Sequence, residues 1–442
     1  MQISSLKSST ISREGLEPLQ HKLPMGGVIN YFVDTHVDIV KIDFIFPAGS
    51  AVQEKLLQAS TTMRLIMEGT AKHSARDIAE FMDFRGIAID KGIDEVSATL
   101  TVYTLRRYLE ELLPLLREIV CESVFPDDEF RLYVDNRRRH LQTEMKRTSF
   151  QARNLFYEHL YGSRHPMGQY AVPEDFDKIT VDDVRRFYQQ NYRIDNATII
   201  IGGNIDNEVL SLFDRYFGDF STQGNDCILR LFDKNILQVD DSILRSYGCK
   251  RTFDGVPYLM RKLPGAVQNT LRVGRLLPMS WDSMDYAHFM VLTTMLGGYF
   301  GSRLMSNIRE DKGYTYGIYS QTRICRGSIV FSITTDVASE NAEPALAEIF
   351  HELKRLCDEP VHQEELDLVR KCMLGDFMRS VDGIFERCER YGQQLVAGIS
   401  ERFTDNYFRA IDTVTPEQLQ QIAKQLFRRE ELLAINVGVC EK

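Results

Sequence analysis

The 442-residue sequence predicts an α+β fold of two homologous domains, each an antiparallel sheet packed against helices. Three observations lead there. The chain is too long for a single compact core and suits two domains of roughly 200 residues. A helix-then-strand segment occurs twice along it. Each half also mixes strand-like alternation with helical periodicity, the pattern of sheets with helices laid on one side.

In chain order, residues 1–21 form an N-terminal segment. "MQISSLKSSTISREG" is polar and lacks the apolar core of a secretory signal, so a cytoplasmic location is expected. The first domain spans 22–217. It opens with the strand "VKIDFIFPAGS", ending at Ser50, and continues through helices over Glu54 to Met67, Ser74 to Arg85 and Arg106 to Val120. Between them, "EVSATLTVY" alternates and puts Val96, Ala98, Leu100 and Val102 on one face. Residues 218–262 lack a sustained period and are read as the connection between halves. The second domain spans 263–442, with "TLRVGRLLPMS" ending at Ser280 and "GSIVFSITTDV" in the part of the alternating strand.

The duplication rests on two landmarks. "ITVDDVRRFYQQNYRIDNATIIIGG" starts at Ile179 and "VTPEQLQQIAKQLFRREELLAINVG" at Val414, an offset of 235 residues, and the opening strands are 230 apart. In the first pair, Thr180 with Asp183 and Thr415 with Gln418 have the spacing of a capping box at the start of an amphipathic helix. Each helix leads into a β-branched or apolar strand, Ala197 to Ile201 and Leu432 to Val437.

Composition narrows the function. The formal charge of −10, from 53 basic and 63 acidic residues, disfavours nucleic acid as a partner. Arg137, Arg138 and Arg139 point in three directions on a helix and read as a solvated surface. No window is apolar and long enough to span a bilayer, so no membrane partner is expected. The eight cysteines include no C-x-x-C pair and fit reduced, packed thiols. His140 with Glu144 and His362 with Glu365 can share helix faces, but two residues are half a metal site. "GGYFGS" has the wrong spacing for a phosphate loop, and no G-x-S-x-G elbow is present.

Three stretches carry a resemblance: "GSAVQEKLLQASTTMRLIMEGT", "ITVDDVRRFYQQNYRIDNATIIIGGNID" and "MLGGYFGSRLMSNIREDKGYTYGIYS". Together they resemble the pitrilysin/insulinase-type zinc peptidases, in particular the two-domain members like the processing-peptidase subunits. The resemblance implies a half clamshell. In catalytic members the first long helix carries H-x-x-E-H, and a later glutamate completes the zinc site. The matching positions are Ser60, Met63 and Arg64, with His140 in place of the glutamate. Ser60 is a poor donor, Met63 is no base and Arg64 has no lone pair to give, so no metal is expected on this chain. Leu56, Ser60, Met63 and Met67 nevertheless keep the inward stripe of that helix.

The second half keeps what the first has lost. The family's arginine and tyrosine, seven residues apart, match Arg309 and Tyr316 in "NIREDKGYTYG"; the resemblance gives them the substrate carbonyl and its developing oxyanion to hold. Read without the resemblance, Arg309 pairs with Glu310 or Asp311 and Tyr316 is an ordinary strand residue. The peptide-docking edge strand of relatives falls on Ala88, Ile89, Asp90 and Lys91, and departs from their usual pattern.

The resemblance therefore implies a non-zinc subunit of a heterodimeric peptide-degrading metallopeptidase, inactive alone. Zinc is expected on a homologous partner bearing the motif, and unfolded peptides are the expected substrates. A catalytically inactive scaffold and a peptide-binding pseudoenzyme are the alternatives.

Overall fold

The computed structural model describes residues 15–219 and 251–439. Most of the N-terminal segment and residues 220–250 of the expected connection lie outside this description. The first half contains strands β1 (Leu19–Lys22), β2 (Val28–Val33), β3 (Ile39–Phe46), β4 (Ala88–Ile93), β5 (Ala98–Leu105) and β6 (Thr198–Gly203). Its helices are α1 (Gln58–Leu65), α2 (Ala75–Arg85), α3 (Leu109–Glu122), α4 (Asp127–Glu144), α5 (Thr148–Tyr161), α6 (Val181–Asn191) and α7 (Asn207–Phe217). The second half contains β7 (Arg251–Phe253), β8 (Val256–Lys262), β9 (Asn269–Leu276), β10 (Thr315–Cys325), β11 (Ser328–Val337) and β12 (Leu433–Gly438). Its helices are α8 (Met284–Thr293), α9 (Ala342–Asp358), α10 (Gln363–Arg379), α11 (Ile384–Ala397), α12 (Glu401–Thr413) and α13 (Pro416–Leu426).

The two sheets have one topology. The first runs β1-β2-β6-β3-β5-β4 and the second β7-β8-β12-β9-β11-β10, reading each from the end that begins its half. Pairing is antiparallel except between β2 and β6 and between β8 and β12, which are parallel in both copies. Both capping boxes form as the spacing predicts, Thr180 with Asp183 and Thr415 with Gln418. Gly203, ending β6, has φ +128°, and a Cβ there would stand 2.1 Å from the Ile39 carbonyl oxygen, so only glycine fits. β5 alternates as expected, with Ala98, Leu100 and Val102 fully buried.

Two features depart from the sequence reading. β7 and β8 fall inside the stretch read as connection, so the second sheet begins earlier than 263. Helices also cover both faces of each sheet, because the halves exchange one helix each. From α5 of the first half, Ala152, Leu155, Phe156 and Leu160 pack on Leu276, Val330, Leu433, Ile435 and Val437 of the second sheet. From α11 of the second half, Ile384 and Cys388 pack on Phe32, Ile45 and Ile200 of the first. Each large side chain so buried is worth roughly 1.5–3 kcal/mol, which ties the halves together without a large flat interface.

Candidate functional site

The helix at the expected metal position is α1. Leu57, in the left-handed conformation at φ 73°, turns the chain into it. Gln58 fixes its start: the side-chain oxygen accepts from the Glu54 amide at 3.0 Å, and its nitrogen donates to the Asp183 carbonyl at 2.8 Å. Lys55 adds an ion pair with Asp183 at 2.7 Å. Burial pushes the Asp183 carboxyl up, but the bonds from Lys55 and Thr180 outweigh it and hold the group below its ordinary value. The helix is thus fastened to α6 at its first turn.

The three positions on α1 serve the helix itself or face solvent. Ser60 Oγ donates to the Leu57 carbonyl at 3.1 Å. Met63 is fully buried, with the Tyr192 hydroxyl 3.6 Å from its sulfur. Arg64 is exposed, and its carbonyl accepts a 2.7 Å bond from Lys91 of β4. Burial lowers the Lys91 ammonium, with Glu68 opposing and Arg64 assisting, while burial raises the Glu68 carboxyl. Tyr133 of α4 faces the same region; burial raises its hydroxyl against the pull of Arg137 and Arg64.

His140 does not turn inward with them. Its ring is 57% exposed and sits 3.4 Å from Glu144, whose carboxylate is the more enclosed and also takes Arg137 at 3.1 Å. Among the described residues no three His, Cys, Asp or Glu side chains converge as a metal site. A hydroxyl already bonded to the backbone, a buried thioether and a permanent cation do not fit zinc. His362 and Glu365 likewise serve the fold: His362 precedes α10, and Glu365 receives both arms of Arg303 at 2.8 and 2.7 Å.

The second half presents a different arrangement. Arg309 lies on the wide π-helical segment Met305–Asp311, which Asn307 anchors to α9 through Glu348 at 3.0 Å and Glu352 at 2.7 Å. Tyr314 closes the turn by donating its amide to the Ile308 carbonyl at 3.0 Å. β10 follows as the edge strand of its sheet, and its register shifts between Thr315 and Ile318. Thr315 Oγ1 holds that bulge, accepting from the Gly317 amide at 3.1 Å and donating to the Asp336 carbonyl at 2.8 Å. The irregularity throws Tyr316 outward, where it is 99% exposed.

Arg309 pairs with neither Glu310 nor Asp311. Its guanidinium stacks over the ring of Phe300 at 4.5 Å, and Nη1 is buried without a hydrogen-bond partner. Phe300, 61% exposed, is the residue that sequence reasoning missed; it sits inside "GGYFGS", where an exposed aromatic between glycines was the available signal. An anchored segment thus carries a guanidinium without an ion-pair partner on an aromatic shelf, and the strand that follows it presents an outward phenol. That set can donate to a carbonyl or oxyanion. β4, the corresponding edge of the first sheet, carries Ala88, Ile89, Asp90 and Lys91, with Lys91 bent back toward α1.

A separate cavity of about 950 Å³ lies where the halves meet, lined among others by Lys41, Asp43, Tyr103, Arg323 and Glu389. None of Ser60, Arg64, Arg309 or Tyr316 lines it. No helix among the described residues is long and apolar enough to cross a membrane.

Comparison with known proteins agrees with this geometry. Residues 178–372 match the family model described as the peptidase M16 inactive domain. An uncharacterised zinc protease of Bacillus subtilis, YmxG, is 20% identical over 84% of this chain and 86% of its own length. A Helicobacter pylori protein named a non-peptidase homologue is 19% identical over 87% and 85%. Among solved structures, a peptidase M16 inactive domain from Pseudomonas fluorescens superposes with a TM-score of 0.79 at 19% identity, covering 96% of this chain and 99% of that one. A Helicobacter pylori protease superposes equally well, at 18% identity over 96% and 100%. Residues 178–372 thus match the peptidase M16 inactive domain, and the chain as a whole has the two-domain fold of the M16 inactive-domain structure it superposes on, with an α1 that lacks H-x-x-E-H.

Proposed function

We propose that this chain is the non-zinc half of a two-subunit peptidase, pairing with a homologous chain that carries H-x-x-E-H. The observation that carries the reading is the contrast between its two sites. On α1 Ser60 bonds to its own backbone, Met63 is buried and Arg64 is a cation, whereas Arg309 keeps a buried N–H with no partner and Tyr316, seven residues on, is exposed. A buried polar hydrogen left unsatisfied costs about 1–3 kcal/mol, so an acceptor brought to it by a ligand would be favoured. A peptide carbonyl supplies that acceptor. Arg309 would orient it and Tyr316 would close over it, both donating more strongly as negative charge develops on the oxygen.

The peptide itself would lie extended along a sheet edge, where main-chain hydrogen bonds give affinity with little sequence demand. The chamber would be completed by the partner, which also supplies the metal and the base. The test is reconstitution: full-length chain mixed with an H-x-x-E-H homologue should raise hydrolysis of an unfolded peptide above that of either chain alone. A pull-down that returns only non-peptidase partners, with no gain in hydrolysis, would favour the scaffold reading instead.

A further inference from the structure

The second sheet has an open polar face beside the exchanged helix. α5 covers β9, β12 and the Val330 end of β11, together with Cys325 at the end of β10, and leaves Tyr319 and Gln321 of β10 exposed on that side. One cross-strand row runs from the edge inward as Tyr319, Thr334 and Arg272, in register and therefore on one face. A second row runs Gln321, Ser332, Gly274. Ser332 is buried and Gly274 lies under Phe156, so the trough is the half-buried Thr334 and the exposed Tyr319 and Gln321, with α5 as its wall.

Arg272 stands at the foot of that wall. Its Nε donates to Thr334 Oγ1 at 3.1 Å, and its guanidinium lies between two rings of α5, 5.4 Å from Phe156 and 5.8 Å from Tyr157. Nη1 is buried with no hydrogen-bond partner. Arg153, one helix position before Asn154, adds a second positive charge at the exposed rim, and no ion pair of either arginine is formed among the described residues. Burial lowers the Arg272 guanidinium; the Tyr157 hydroxyl opposes this and Arg153 adds to it. The nearby acids are engaged elsewhere: Asp336 accepts from Thr270, and Glu95 takes Arg323 across the halves at 2.7 Å.

A guanidinium lying against two aromatic rings, bonded to Thr334 and Tyr157 but with Nη1 left without a partner and a second cation nearby, suits an oxyanion. We infer that Arg272, with Arg153 at its rim, binds a carboxylate carried by a peptide lying in the trough between α5 and the exposed side chains of edge strand β10. The site is distinct from Arg309: the one takes a charged group for selection, the other a neutral carbonyl for reaction. The inference rests on the proposed peptide-holding role, and its test separates the two.

The full-length chain would be titrated with three labelled unstructured peptides of one sequence: neutral and amidated, with one internal glutamate, or with a free C-terminal carboxylate. The expected result is that a carboxylate-bearing peptide binds about tenfold tighter than the neutral one, in the range of a charge-assisted pair. Arg272→Gln should erase that preference, Arg272→Lys should restore part of it, and Arg309→Ala should weaken all three alike. The two acidic peptides show which carboxylate the site takes. A preference that survives in Arg272→Gln overturns the inference. If no peptide binds, the peptide-holding role falls, and inorganic phosphate reads the anion site alone: it should raise the melting temperature of the wild type and not of Arg272→Gln. An equal rise in both would overturn the site.

Discussion

Arg309→Ala, in the reconstituted pair, should lower kcat by about 100- to 1000-fold, the usual loss when one preorganised oxyanion donor is removed. KM should change far less, because the donor is used most as charge develops on the carbonyl oxygen. Arg309→Lys should recover little, since an ammonium lacks the planar fork and does not stack on Phe300 in the same way. The variant should remain folded and paired. Arg309 makes no ion pair with its neighbours, and the segment bearing it is held by Asn307, Glu348 and Glu352. Urea unfolding midpoints equal to wild type, alongside lost turnover, would separate a chemical role from a structural one.

Lys41→Met should destabilise the chain by about 3–5 kcal/mol, the cost of leaving a buried charge without its partner. Lys41 and Asp43 are 4% and 3% exposed, two residues apart on the face of β3 that α11 covers, and bond at 2.5 Å. Thr101 satisfies the second carboxylate oxygen at 2.6 Å. Burial would lower the Lys41 ammonium, but Asp43 more than reverses this, so the pair stays charged. Because its pKa is raised, this contribution is complete below the unfolded lysine value near about 10.4 and is lost only as pH rises through the folded value. Around neutral pH the pair's contribution is therefore fully present and does not vary with pH. The double variant Lys41→Met with Asp43→Leu should stand close to wild type, as replacing a whole buried pair by apolar groups often does. Chemical denaturation of the two variants side by side decides the point.

Much of this architecture was legible in the sequence, and the reasons are local. The capping boxes at Thr180 and Thr415 and the strands after them are short-range signals, and their repetition gave away the duplication. The alternation in β5 reports one buried face, which is how a half-buried strand announces itself. The exchange of α5 and α11 was not legible, because an amphipathic helix states that it covers a sheet without stating which one. β7 and β8 were missed because three residues, then seven beginning Val256-Pro257, give too little alternation to read.

The candidate site divides along the same line. That Ser60, Met63 and Arg64 cannot hold zinc follows from side-chain chemistry and needs no coordinates. That Arg309 lacks a carboxylate could not be read, since Glu310 and Asp311 stand beside it in the chain. Only the winding of Met305–Asp311 and its anchors on α9 carry the guanidinium away from them. The inward carboxylate of α4 was missed for a similar reason: spacing alone put His140 and Glu144 on one face, and packing selected Glu144.

The central claim is that this chain serves a peptidase without a metal of its own. Zinc analysis after dialysis, on the isolated chain and on its complex with an H-x-x-E-H partner, tests it most directly. The account predicts no stoichiometric zinc on the isolated chain and a single ion per active pair. A tightly held, stoichiometric zinc on the isolated chain, lost on replacing residues of α1 or α4, would contradict it.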